Sequence, residues 1–162
     1  MNTMNSLLRV VVLLGMALLS GTALAQAVSS ADVNIVSIEA QSTKKGFLCT
    51  VVINNQNDDD AYDTRVLVLL PLQTPKVRSA TVTGGSGKCK PHAPFGTPTG
   101  FVEVVQCDLG HLPQGPTVRR TVTVTADPST ADPVYKRTCS ALIYSPVGDI
   151  DKTNNYAAAT AP

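Results

Sequence analysis

The chain has 162 residues, with 13 Lys and Arg against 12 Asp and Glu, a formal net charge of +1, and only 4% aromatic residues. A chain this close to neutral has no long-range field to draw it to nucleic acid or an anionic bilayer, and it holds no basic run with interleaved aromatics. The length suits one domain with a sizeable core.

Residues 1–25 read as a secretory leader. Arg9 supplies a short positive region, Val10–Leu19 an apolar stretch, and Ala23-Leu24-Ala25 a small-x-small cleavage site before Gln26. The apolar stretch is too short to cross a bilayer, which takes about 20 residues. No second long apolar segment follows, and Gln26 rather than Cys stands after the cut. The expectation is therefore an exported bacterial protein, periplasmic or extracellular at the cell surface, without a membrane or lipid anchor once cleaved. The mature part, 26–162, sets twelve acids against the twelve Lys and Arg that remain after Arg9 is removed, a formal charge of zero.

The mature part is rich in Val and Thr, and Gly and Pro interrupt it repeatedly, a composition of strands and turns. Eight strands are expected. The first spans Asp32–Ala40. The second, Phe47–Asn54, places Phe47, Cys49, Val51 and Ile53 on one face by the two-residue period. The third, Thr64–Leu70, is apolar on both faces and should lie centrally. The fourth is Val77–Thr83, ended by Gly84-Gly85. The fifth is Phe101–Cys107. The sixth, Val118–Thr125, sets Val118, Val122 and Val124 against Thr121 and Thr123. The seventh, Arg137–Tyr144, aligns Cys139, Ala141 and Ile143. The last is Asn155–Thr160, at an edge. The Pro/Gly-rich stretch between the fourth and fifth strands, 84–100, reads as a long loop tethered by Cys89. Short strands without intervening helices indicate an all-β, immunoglobulin-like antiparallel β-sandwich of about 7–8 strands.

Several stretches, in order, carry a resemblance. They are Val51-Val52-Ile53-Asn54-Asn55, Ala61–Pro71 (AYDTRVLVLLP) and Val77–Thr81. Cys89 follows, with Val105–Gly115 (VQCDLGHLPQG), then Val122–Ala126 and the closing Asp149–Asn155 (DIDKTNN). Together they resemble the bacterial Ig-like conserved-repeat family, the domain of unknown function numbered eleven, and its relatives among bacterial cell-adhesion domains. The resemblance implies a β-sandwich with a spacer or adhesive role in the cell envelope and no active site. Members often carry several copies and a surface anchor. This chain shows one copy and no anchor, a departure that tells against a spacer role.

Four cysteines allow three pairings. The reading taken here is Cys89–Cys107, closing the long loop on the fifth strand, and Cys49–Cys139, joining the core-facing sides of the second and seventh strands as in immunoglobulin domains. No C-x-x-C or zinc-site spacing competes with structural disulfides. Asp58 and Asp60 lie in the turn after the second strand, and Asp149 and Asp151 in the turn after the seventh. In such a sandwich the two turns share an end, so these acids are the candidates for calcium, which takes about six to eight oxygen ligands. Ordinary Asx turn chemistry is the competing reading. Lys88, Lys90, His92 and Phe95 form a small basic-aromatic group that could meet an acidic glycan or partner, against the competing reading of a solvated loop clipped by a disulfide.

His92 and His111 have no second ligand at metal spacing, and no G-x-S-x-G motif occurs. No catalytic residues and no cofactor are expected, calcium being the one candidate. The function expected is a noncatalytic envelope or extracellular interaction module, adhesive or scaffold-like, with a protein or glycan of the envelope as partner. It would present the loops 55–61, 84–100 and 145–154. A structural subunit of a surface or filament assembly, or a small secreted enzyme, are the alternatives.

Overall fold

The computed structural model describes residues 31–162 apart from 45, 75, 99, 131–136 and 147. The leader and its cleavage site therefore lie outside the described residues.

Among the described residues there are nine strands: β1 (Val33–Thr43), β2 (Gly46–Asn55), β3 (Ala61–Leu72), β4 (Val77–Thr83), β5 (Lys88–Thr97), β6 (Gly100–Leu112), β7 (Arg119–Ala126), β8 (Thr138–Tyr144) and β9 (Tyr156–Thr160). They form two antiparallel sheets, ordered β1-β2-β7-β4 and β5-β6-β3-β8-β9. The first sheet and the β3-β8-β9 part of the second match the ABED and CFG order of an immunoglobulin constant domain. The β5–β6 hairpin is an addition between the D-like β4 and the E-like β7, and it widens the second sheet past β3.

The two-residue period decides what faces the core. In β2, Phe47, Cys49, Val51 and Ile53 are buried, and in β8 Cys139, Ala141 and Ile143 are buried. In β7, Val122 and Val124 point inward while Thr121 and Thr123 stay half-buried on the outer side. β3 buries Val66, Val68 and Leu70 and half-buries Leu67 and Leu69, as suits a strand flanked by β6 and β8. Both disulfides form as expected. Cys49–Cys139 bridges the sheets with a Cα separation of 6.3 Å, and Cys89–Cys107 staples directly opposed residues of the hairpin at 4.0 Å.

One expectation is corrected. The stretch 84–100 is not a long loop, because most of it is β5, which pairs with β6 from Lys88↔Asp108 to Thr97↔Gly100. Its residues are almost all exposed, so no apolar alternation marks it. Pro91 and Pro94 are tolerated because β5 is an edge strand with one side unpaired. The register slips between His92 and Phe95, where Pro94 lies.

Candidate functional site

The outer face of the five-stranded sheet is built by register. Directly opposed residues of antiparallel strands share a face. Lys88 opposes Asp108, Asp108 opposes Arg65, and Arg65 opposes Tyr144. One rung further, Lys90 opposes Gln106, Gln106 opposes Leu67, Leu67 opposes Leu142, and Leu142 opposes Tyr156. Two parallel rows of side chains thus cross the sheet.

The β5 side of this face is cationic. Arg65, Lys88 and Lys90 line a groove of about 400 Å³ with Gln106 and Asp108 between them. The two salt bridges among the described residues, Arg78–Asp127 and His111–Asp60, involve none of the three cations. The β9 side is apolar and aromatic: Tyr144 is 59% exposed, Tyr156 60% and Leu142 44%. Tyr144 also lines an adjoining hollow of about 310 Å³ with Lys152 and Asn155.

A second cluster sits at the end of the sandwich where β2 turns into β3. The β3–β6 register shifts on either side of Thr64, and Asp63 adopts φ 51°, a left-handed conformation that Asp tolerates better than most residues. Tyr62 is left on the surface, its ring stacked on His111 at 4.8 Å. The Asp60 carboxylate receives the backbone N–H of Gln114 at 2.9 Å, contacts His111 Nε2 at 2.9 Å, and accepts from the Tyr62 hydroxyl at 3.3 Å. The Gln114 N–H and the His111 contact hold its carboxyl below the usual carboxylate range.

The turn after β8 is satisfied by its own groups. Asp149 accepts from the Asp151 N–H and from Asn155 Nδ2, and Asp151 accepts from the N–H and hydroxyl of Thr153. Burial pushes Asp149 up, whereas the Thr153 hydrogen bonds hold Asp151 down. Asp32 ties the two turns together: its N–H donates to Asn55 Oδ1, and its carboxylate accepts from Asn154 Nδ2.

The calcium candidates accordingly fall into two groups at one end of the molecule. Asp58 and Asp60 border one hollow and Asp149 another, and among the described residues no three His, Cys, Asp or Glu side chains gather as a metal site. Of the basic-aromatic group, Lys88 and Lys90 enter the groove. His92 and Phe95 pack near each other, with ring centroids 6.2 Å apart, further along β5. Sequence reasoning missed Arg65, Gln106, Asp108, Leu142, Tyr144 and Tyr156 on this face. The alignment of Cys139, Ala141 and Ile143 set Leu142 and Tyr144 on the other side of their strand, but nothing local told which strands would be its neighbours.

No family model matches the chain, and no curated protein matches it. Among solved structures, a biomass-sensing module from RsgI-like proteins of Clostridium thermocellum, described as resembling a family 3 carbohydrate-binding module of the cellulosome, is similar at 10% identity and TM-score 0.44. That match covers 76% of this chain and 99% of the other. AvmM, described as catalysing macrocyclization in alchivemycin A biosynthesis, is similar at 14% identity and TM-score 0.38, covering 83% of this chain and 88% of the other.

Proposed function

We propose that the chain is an exported, noncatalytic binding module of the bacterial envelope or exterior, and that it binds through the outer face of the β5-β6-β3-β8-β9 sheet. Export is supported by the leader pattern in 1–25 and by two disulfides, which persist in oxidising compartments.

The observation that carries the binding face is the pair of rows themselves. Tyr144, Leu142 and Tyr156 stand exposed in neighbouring register positions beside three cations that form no ion pair among the described residues. Solitary exposed apolar side chains are ordinary; adjoining ones beside a polar groove mark interaction surfaces. Tyrosine suits such a surface because it offers a large, rigid apolar ring with a polar tip.

The test is crosslinking of intact producing cells before lysis, followed by fractionation and non-reducing gels, for the native chain and for Y144A/Y156A. Both side chains are more than half exposed, so the double variant should melt like the native protein. We expect the native chain in a crosslinked or sedimenting species that the variant fails to form. Identical behaviour of the two would remove this face as the binding surface.

A further inference from the structure

We infer that the ligand of this face is an acidic polysaccharide, one whose sugar units carry carboxylate or sulfate groups; this rests on the binding face proposed above. Three features of the groove set the ligand's chemistry together.

The first is charge. Lys88, Lys90 and Arg65 are brought to one groove from β5 and β3, and none is neutralised by an ion pair among the described residues. A guanidinium and two ammonium groups in one hollow are complementary to a repeated anion.

The second is the pair of acceptors set among the cations. Asp108 stands directly between Lys88 and Arg65, and Gln106 stands beside Lys90. An anionic group placed against Asp108, whose Oδ1 already accepts the Gly110 N–H, would be repelled, so this position calls for a donor close beside the anion. A sugar unit offers hydroxyl donors beside its anionic group, so Asp108 and Gln106 can accept while the cations bind the anion.

The third is the aromatic extension. Tyr144 follows Arg65 in the same row, and Tyr156 ends the neighbouring row. Their open ring faces suit the C–H face of a pyranose, which is flat and apolar while its rim is polar. Neighbouring strands lie about 4.8 Å apart, comparable to one sugar ring, so successive units of an extended chain can meet successive strands.

The experiment is affinity electrophoresis of the disulfide-intact protein through gels containing matched probes. These are polygalacturonate against its methyl ester, dextran sulfate against dextran, and poly-glutamate as the acidic peptide. The proteins are the native chain, K88Q/K90Q and Y144A/Y156A.

We expect retardation by polygalacturonate or dextran sulfate, the two distinguishing carboxylate from sulfate as the anion. Their neutral counterparts and poly-glutamate should not retard the protein. Removing both lysines should weaken binding by about tenfold or more, since each contributes a charge-assisted hydrogen bond, and added salt should weaken it further. The tyrosine variant should lose retardation as well.

Equal retardation by the methyl ester or by dextran, or indifference to K88Q/K90Q, would overturn the acidic specificity and leave the binding face standing. Retardation by poly-glutamate equal to that by the polysaccharides would replace the glycan by an acidic protein. No retardation by any probe, with the cell crosslink still dependent on the tyrosines, would overturn the glycan alone. Loss of that dependence too would overturn the face with it.

Discussion

Arg120 is the residue whose position asks most of its surroundings. It falls in phase with Val122 and Val124, so the strand period turns it inward, and only 9% of it remains exposed. No carboxylate meets it among the described residues. Instead the guanidinium donates to the carbonyls of Gly84 and His111. It thereby ties the β4–β5 turn to the end of β6. Gly85 leaves the room, since a Cβ there would run into the guanidinium. Arg120→Ala would strand two carbonyls and open a void, with an expected loss of about 2–3 kcal/mol in urea unfolding.

Two carboxylates should respond to pH with opposite signs. Asp60 is held below its ordinary range, so its contribution to stability is present above the unfolded value, about 3.9, and is lost as pH falls through the lower folded value. Asp149 is raised by burial, so its contribution is fully present below the unfolded value and is lost as pH rises through the higher folded value. Melting temperatures followed from pH 7 to 2.5 check both. Asp60→Asn should lie below the native protein at pH 7 and converge with it in acid. Asp149→Asn should lie at or above it at pH 7, the difference closing as pH falls. The Asn155 amide can turn to serve the new side chain, because its Oδ1 lacks a partner.

At the scale of elements, the two disulfides have separable jobs. Cys49–Cys139 closes 90 residues and joins the two sheets through the core, while Cys89–Cys107 closes 18 and fastens an exposed edge strand to its neighbour. Loop-closure entropy assigns them about 4.5 and about 3 kcal/mol respectively. C49A/C139A should therefore shift the denaturation midpoint more. C89A/C107A should keep a native-like core and show faster hydrogen exchange confined to β5. Because Lys88 and Lys90 flank Cys89, the second variant should also weaken any ligand held in the groove.

β5 shows why elements are read unevenly from a chain. Strands facing a core announce themselves through alternation, as Phe47 to Ile53 and Val122-Val124 do. An edge strand exposed on nearly every residue has no such pattern, and Pro91, Pro94 and Gly96 give it the composition of a loop. Its strand form comes from the β6 ladder and the disulfide rather than from local preference. β6 is likewise longer than its apolar run suggested, reaching Leu112 because β3 begins early, at Ala61, and supplies partners there.

At the scale of the molecule, the sandwich has one face that pairs structure with chemistry. The outer face of β1-β2-β7-β4 carries Thr121, Thr123 and Thr125 on β7, whereas the opposite sheet carries cations, tyrosines and acceptors in two rows. The loop end is occupied by hydrogen bonds among its own residues. Asp60 binds Gln114 and His111, and Asp149 and Asp151 bind their own turn. Recognition is accordingly proposed on the sheet rather than on loop tips.

From the residues alone came the all-β class, the inward faces of the core strands, the central place of β3 and both disulfide pairings. The first three follow from side-chain period, a local property, whereas the cysteine count left three pairings and the choice among them came from the immunoglobulin-like arrangement of the strands. The ninth strand and the two side-chain rows of the proposed binding face emerged only in three dimensions. Lys88, Asp108, Arg65 and Tyr144 lie far apart in the chain, and they form one row because hydrogen-bonded register sets β5, β6, β3 and β8 side by side. Strand order is a choice among long-range pairings of similar local energy, and it is decided by burying one shared core.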